Sequence, residues 1–147
     1  MTAFSGQSLT LDPLPPRRRV AIRPTALPGQ DALRDFLEAR GPELAIEPCS
    51  THDEFLRCLR SGEPIDAVVW RTGDETGDPL EDLRNVAGAS LTTPVIMVVG
   101  RYDAGLVSRA MAQGITGLVG RSMSPDMVLC VLRLVLAGGT YFPCEPA

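Results

Sequence analysis

Apolar residues come in five short, unbroken runs: Val20-Ala21-Ile22, Leu44-Ala45-Ile46, Ala67-Val68-Val69-Trp70, Val95-Ile96-Met97-Val98-Val99 and Gly117-Leu118-Val119. None alternates apolar with polar, which predicts strands covered on both faces. Between the runs the period becomes helical. Residues 31–39 are amphipathic, and Gly41 stands where that helix should end. Thr51 and Glu54 have capping-box spacing ahead of Phe55, Leu56 and Leu59, and Gly62 closes the segment. A polar loop over 72–78 leads to a modest helix from Pro79 to Ala87. Asp103 is placed to cap a helix that runs to Gln113 and stops at Gly114. Ser124-Pro125-Asp126 combines a capping serine, a proline at the first helical position and an acid in the first turn. That last helix runs through Leu136 to Gly138-Gly139. Five strands alternating with five helices predict a doubly wound α/β domain on a five-stranded, mostly parallel sheet.

In such a sheet, ligands bind at the carboxyl ends of the strands, near the switch in strand order. Four of the five strands run into, or to within a residue or two of, an arginine: Arg23, Arg71, Arg101 and Arg121. The acids Asp74, Glu75, Asp78 and Asp103 lie in the same loops. One reading pairs the arginines with these acids and with water, at roughly 0–1 kcal/mol for each surface pair. The other makes them a site for a small anionic ligand such as a nucleotide, since guanidinium forks suit planar oxyanions. Trp70 ends its strand and is expected in the core or a pocket wall.

The last helix leaves Arg133 as the only charge in its middle. Being apolar on nearly all sides, it is expected to be covered on more than one side. One face covers the sheet. Val128, Leu129, Val131, Leu132, Val135 and Leu136 are assigned to a homodimer interface. The competing occupant is the N-terminal segment, with Phe4, Leu9, Leu11 and Leu14.

Composition narrows the function. A length of 147 residues fits one domain with a sizeable core. The net charge of −4 speaks against a direct grip on nucleic acid, and Arg17-Arg18-Arg19 is too short a run to reverse it. Cys49, Cys58, Cys130 and Cys144 form no C-x-x-C pair, and His52 is the single histidine. That supply predicts no metal site, no cofactor and no disulfide framework, with Cys58 and Cys130 packed within their helices and His52 on the surface. No apolar segment is long enough to span a membrane and the N-terminus lacks signal-peptide order, so a cytoplasmic protein without a membrane partner is expected. Neither a P-loop nor G-x-G-x-x-G is present. Residues 1–18, which include "PLPP", are expected to be an arm, 19–143 the folded domain, and 144–147 the start of a linker or tail.

From about Arg19 to Pro143 the chain resembles the receiver domain of response regulators of the NarL/LuxR type. "IDAVVW" matches the family's third strand and "TPVIMVVG" its fourth. The most specific stretch is "AMAQGITGLVGRSMSPDMVLCVLRLVLAGGTYFP", in which Ala110, Gly114, Gly117, Ser124, Pro125, Gly138, Gly139 and Tyr141 fall on the family's closing pattern. The resemblance implies a receiver-like (βα)5 fold in which the first helix, with Leu33, Phe36 and Leu37, neighbours the last and shares its contact, together with dimerisation and a DNA-binding helix-turn-helix in a downstream domain absent from these residues.

The family's phosphoryl chemistry does not carry over. Its phosphoacceptor aspartate falls on Arg71, its metal-binding acidic pair on Pro24 and Thr25, its switch hydroxyl on Val99 and its lysine on Arg121. Transfer to an aspartate needs that carboxylate and a cation held by oxygen ligands. The expected protein is therefore a pseudo-receiver: a non-enzymatic, phosphorylation-independent regulatory and dimerisation module. The alternative is a sensor of a small anion. A third option, an enzyme on the same frame, lacks a nucleophile–base pair.

Overall fold

The computed structural model describes residues 16–24, 31–72, 78–87 and 92–143. The expected arm, apart from residues 16–18, and the expected tail at 144–147 lie outside the described residues. Five parallel strands, β1 (Arg18–Ile22), β2 (Leu44–Ile46), β3 (Ala67–Arg71), β4 (Val95–Val99) and β5 (Gly117–Gly120), form one sheet in the order β2-β1-β3-β4-β5. The helices are α1 (Ala32–Arg40), α2 (His52–Arg60), α3 (Pro79–Ala87), α4 (Ala104–Ala112) and α5 (Pro125–Leu136).

The unbroken apolar runs resolve into two cores by strand alternation. Val20, Ile22, Ala67, Val69, Ile96, Val98 and Val119 face one layer, where Leu37 of α1 and Val128, Leu129, Val131, Leu132 and Val135 of α5 meet them. Ala21, Val68, Trp70, Val95, Met97, Val99 and Leu118 face the other, against Phe55 of α2, Leu80 and Leu83 of α3, and Leu106 and Ala110 of α4. Both cores need every strand residue to be apolar, so the runs carry no polar beat. Trp70 is fully buried, tilted against Phe55.

Local signals work as expected. Thr51 and Glu54 form a reciprocal capping box, and Asp103 and Ser124 accept the Leu106 and Met127 amides. Gly114 and Gly138 end their helices with positive φ, which suits a residue without a Cβ. After α5 the chain returns beside β5: Tyr141 donates its amide to Thr116 and accepts from Leu118, bridging parallel to Gly117. This return strip covers part of an otherwise open sheet edge.

Three expectations need correction. First, β1 begins at Arg18, inside the expected arm, because Arg18 pairs with Leu44 and its guanidinium bonds the Leu136 carbonyl. Second, Cys130 is exposed; Cys49 and Cys58 are the packed thiols. Burial, with Cys49 and Glu47 beside it, pushes the Cys58 thiol up to about 12. Third, the α5 residues assigned to a partner are those that pack on the sheet and α1. Val128, Leu129, Val131, Leu132 and Val135 are buried within the chain and Leu136 is half-buried. Besides Pro125 and Asp126 at its start, the outward residues of α5 are Met127, Cys130, Arg133 and Leu134. Helical period alone did not reveal that α1 would flank α5 and take up its second apolar side.

Candidate functional site

Strand order reverses between β1 and β3, so the carboxyl ends of these two neighbours frame the crevice of the sheet. Arg23 follows β1 and Arg71 ends β3. The two arginines are laced to each other through backbone. The Arg23 amide donates to Val69 at 2.9 Å, its guanidinium to the Arg71 carbonyl at 3.1 Å, and Arg71 Nε to the Arg23 carbonyl at 2.8 Å. Arg23 also lies over the Trp70 ring, 4.3 Å from its centroid.

The other end of the Arg71 fork is taken by Asp31. Nη1 and Nη2 donate to Asp31 Oδ1 and Oδ2 at 2.7 and 2.5 Å, a bidentate pair. Only 11% of the Arg71 side chain and 18% of the Asp31 side chain is exposed. Asp31 is also the N-cap of α1, accepting the Arg34 amide. Burial alone pushes its carboxyl up, but the hydrogen bonds from Arg71 and the Arg34 amide outweigh that and hold it below the usual range. The crevice therefore contains an anion that belongs to the chain itself.

Sequence reasoning looked for arginine partners among the acids of the loops after the strands and missed Asp31. The signal was present. In parallel β-α units every helix begins at the edge where the strands end, so an acid capping α1 must lie beside the end of β3. Of the acids named instead, Asp78 pairs with Arg109 at 2.8 Å and Asp103 caps α4, while Asp74 and Glu75 lie outside the described residues.

The remaining predicted positions lie along the same edge. Arg121 follows β5; its amide donates to Val99 at 2.7 Å and its Nη2 to the Thr72 carbonyl at 3.0 Å. Its guanidinium lies so close over Gly100 that a Cβ there would be 3.3 Å away. Val99 is buried and offers no hydroxyl. Pro24 is half-buried, and Thr25 lies outside the described residues. Arg101 is exposed beyond β4, lines a cleft with Asp78 and Tyr102, and makes no hydrogen bond or ion pair among the described residues. The four arginines share one edge of the sheet, and Arg121 reaches the backbone next to both Arg71 and Arg101.

No protein-family model matches the chain, and no curated protein does. Solved structures do match. A CheY-like response regulator receiver domain protein from Methanospirillum hungatei JF-1 superposes with a TM-score of 0.64 at 17% identity, over 83% of this chain and 95% of that one. The chain has the receiver fold. A LuxR family DNA-binding response regulator from Silicibacter pomeroyi gives 0.61 at 19% identity, over 86% of this chain and 98% of that one. A two-component response regulator of the LuxR family from Aurantimonas sp. SI85-9A1 gives 0.62 at 18%, over 87% and 90%.

A receiver fold implies a divalent cation at the carboxyl edge. The residues described here do not fit one. No cluster of three acids, histidines or cysteines is found among them, the β3 end presents a guanidinium, and the nearest carboxylate is already bonded through both oxygens.

Proposed function

We propose that the chain is a phosphorylation-independent regulatory and dimerisation module of a LuxR-type transcriptional regulator, a pseudo-receiver whose phosphoacceptor pocket is closed by an internal ion pair. The observation that carries this is the Arg71–Asp31 fork at the β1–β3 crevice. A guanidinium at the end of β3 cannot accept a phosphoryl group and repels the cation that transfer requires. The fold of the LuxR-type neighbours supports a place in transcriptional control, and the net charge of −4 supports leaving DNA contact to another domain. The free thiols of Cys49, Cys58 and Cys130 suit a reducing, cytoplasmic setting. An anion sensor centred on Arg71 is disfavoured, because Asp31 already fills that fork.

The test is incubation with acetyl phosphate and Mg²⁺, or with beryllofluoride and Mg²⁺, followed by intact mass and amide NMR. Unchanged mass and no Mg²⁺-dependent shifts around Arg71 are expected. A stoichiometric phospho-adduct overturns the proposal. Arg71→Asp alone should not restore transfer, since it would set a second carboxylate against Asp31 with no cation ligand at Pro24.

A further inference from the structure

We propose that the cleft between the start of α3 and the first half of α4 binds a small ligand that joins an oxyanion to a flat ring. Aromatic carboxylates and nucleoside monophosphates share that chemistry. The cleft encloses about 590 Å³ and is lined by Asp78, Pro79, Arg101, Tyr102, Leu106 and their neighbours Asp103 and Arg109. Small-molecule sites run to roughly 300–1,000 Å³. The site is independent of the phosphotransfer reading and lies apart from the Arg71 fork.

Its charges decide what it can hold. Asp78 accepts from Arg109 at 2.8 Å through one oxygen and from the Leu80 amide at 3.1 Å through the other. Asp103 accepts the Leu106 amide at 2.8 Å as the cap of α4. Asp78 and Arg109 thus neutralise each other, while Asp103 spends one oxygen on the cap and turns its charge to the N-terminus of α4. Arg101 is the remaining charged group of the lining, and it makes no hydrogen bond or ion pair among the described residues. The lining therefore offers one unsatisfied planar cation, which suits an oxyanion bound through two oxygens. Beside it stand apolar surfaces: half-buried Tyr102, Pro79 and the nearly buried Leu106. Tyr102 packs against the core of that sheet face, with its ring edge near Gly120 at the end of β5. An aromatic wall next to a guanidinium that has no partner among the described residues favours a ring carrying the anion over a bare inorganic ion.

Two-dimensional amide NMR of the whole chain tests this with four probes: adenosine monophosphate, benzoate, orthophosphate and adenosine. At least one of the two ring-bearing anions should shift the amides of 100–106 and Asp78 saturably, and added NaCl should weaken it. Orthophosphate should bind about tenfold more weakly or worse, and adenosine should leave these amides unmoved. Benzoate alone, or the nucleotide alone, would identify which source of the anion the cleft accepts. Arg101→Ala removes an exposed side chain without partners, so the fold should persist while affinity falls about tenfold or more. Tyr102→Leu should bring the ring-bearing probe down toward orthophosphate. The proposal is overturned if neither ring-bearing anion saturates the cleft amides, if Arg101→Ala binds as tightly as the parent, or if orthophosphate binds as well as the ring-bearing probes.

Discussion

At the scale of single residues, the crevice is filled by the Arg71–Asp31 pair. Each group is mostly withdrawn from water, so removing one partner leaves the other poorly solvated. Asp31→Asn keeps the shape and part of the helix cap but removes the charge. It should destabilise the chain by about 1–3 kcal/mol at neutral pH, less than a fully buried pair because both groups retain some solvent contact. The carboxyl is held below its usual range in the folded state, so its stabilisation is fully present above the unfolded value, about 3.9, and is lost as pH falls through the lower folded value. Urea unfolding at pH 7 and near pH 2 should thus show a difference between parent and variant that shrinks in acid. Equal stability at pH 7 would mean the fork contributes nothing. At this scale the sequence showed that Arg71 stands where an acid is expected, since counting along β3 needs only local register. It did not show the partner, because Asp31 lies 40 residues earlier and was read only as a helix start.

At the scale of elements, caps and strand runs were readable because each is fixed by a few neighbouring residues. Thr51 with Glu54, Asp103, and Ser124 with Pro125 each satisfy helix-end amides locally. What α5 touches is a different kind of fact. Its apolar residues span most of its circumference, and nothing in the helix itself says whether α1 or a second chain lies beside it. Here α1 does, tied across by Arg133 to Glu43 at 2.6 Å and to the Arg40 carbonyl. The consequence is an ordering of mutational effects along one helix. Leu132→Ala, at a fully buried position, should cost about 2–5 kcal/mol in urea unfolding. Leu134→Ala, at a position 43% exposed, should cost less than about 1 kcal/mol. The reverse order would place the sheet-facing side of α5 elsewhere.

At the scale of the whole molecule, the question is what apolar surface remains for a second copy once both faces of the sheet are covered. The outward stripe of α5 is Met127, Cys130 and Leu134, spaced three and four residues apart and so aligned along one side of the helix. Met127 and Leu134 are 44% and 43% exposed. Fully burying such a side chain contributes about 1.5–3 kcal/mol, so covering their remaining exposure contributes about 1 kcal/mol each. Two copies therefore gain about 4 kcal/mol, at the lower limit of the roughly 4–15 kcal/mol that association costs. Gain and cost cancel, so a homodimer through this stripe alone should have a dissociation constant of millimolar or weaker and should be indifferent to phosphodonors. Two-fold symmetry adds a geometric demand. If two α5 helices pack antiparallel on this stripe, the residue midway along it meets its own copy. That residue is Cys130, an exposed thiol. Sedimentation equilibrium up to millimolar protein, together with copper-phenanthroline oxidation of a Cys144→Ser variant, reads both consequences. A monomer in sedimentation below millimolar protein, with a Cys130–Cys130 linked dimer trapped by oxidation, is expected, and Leu134→Asp should abolish the cross-link while leaving the fold intact. A monomer throughout, with no cross-link at Cys130, would remove α5 as a dimer surface and leave the regulatory reading to stand on the closed crevice alone.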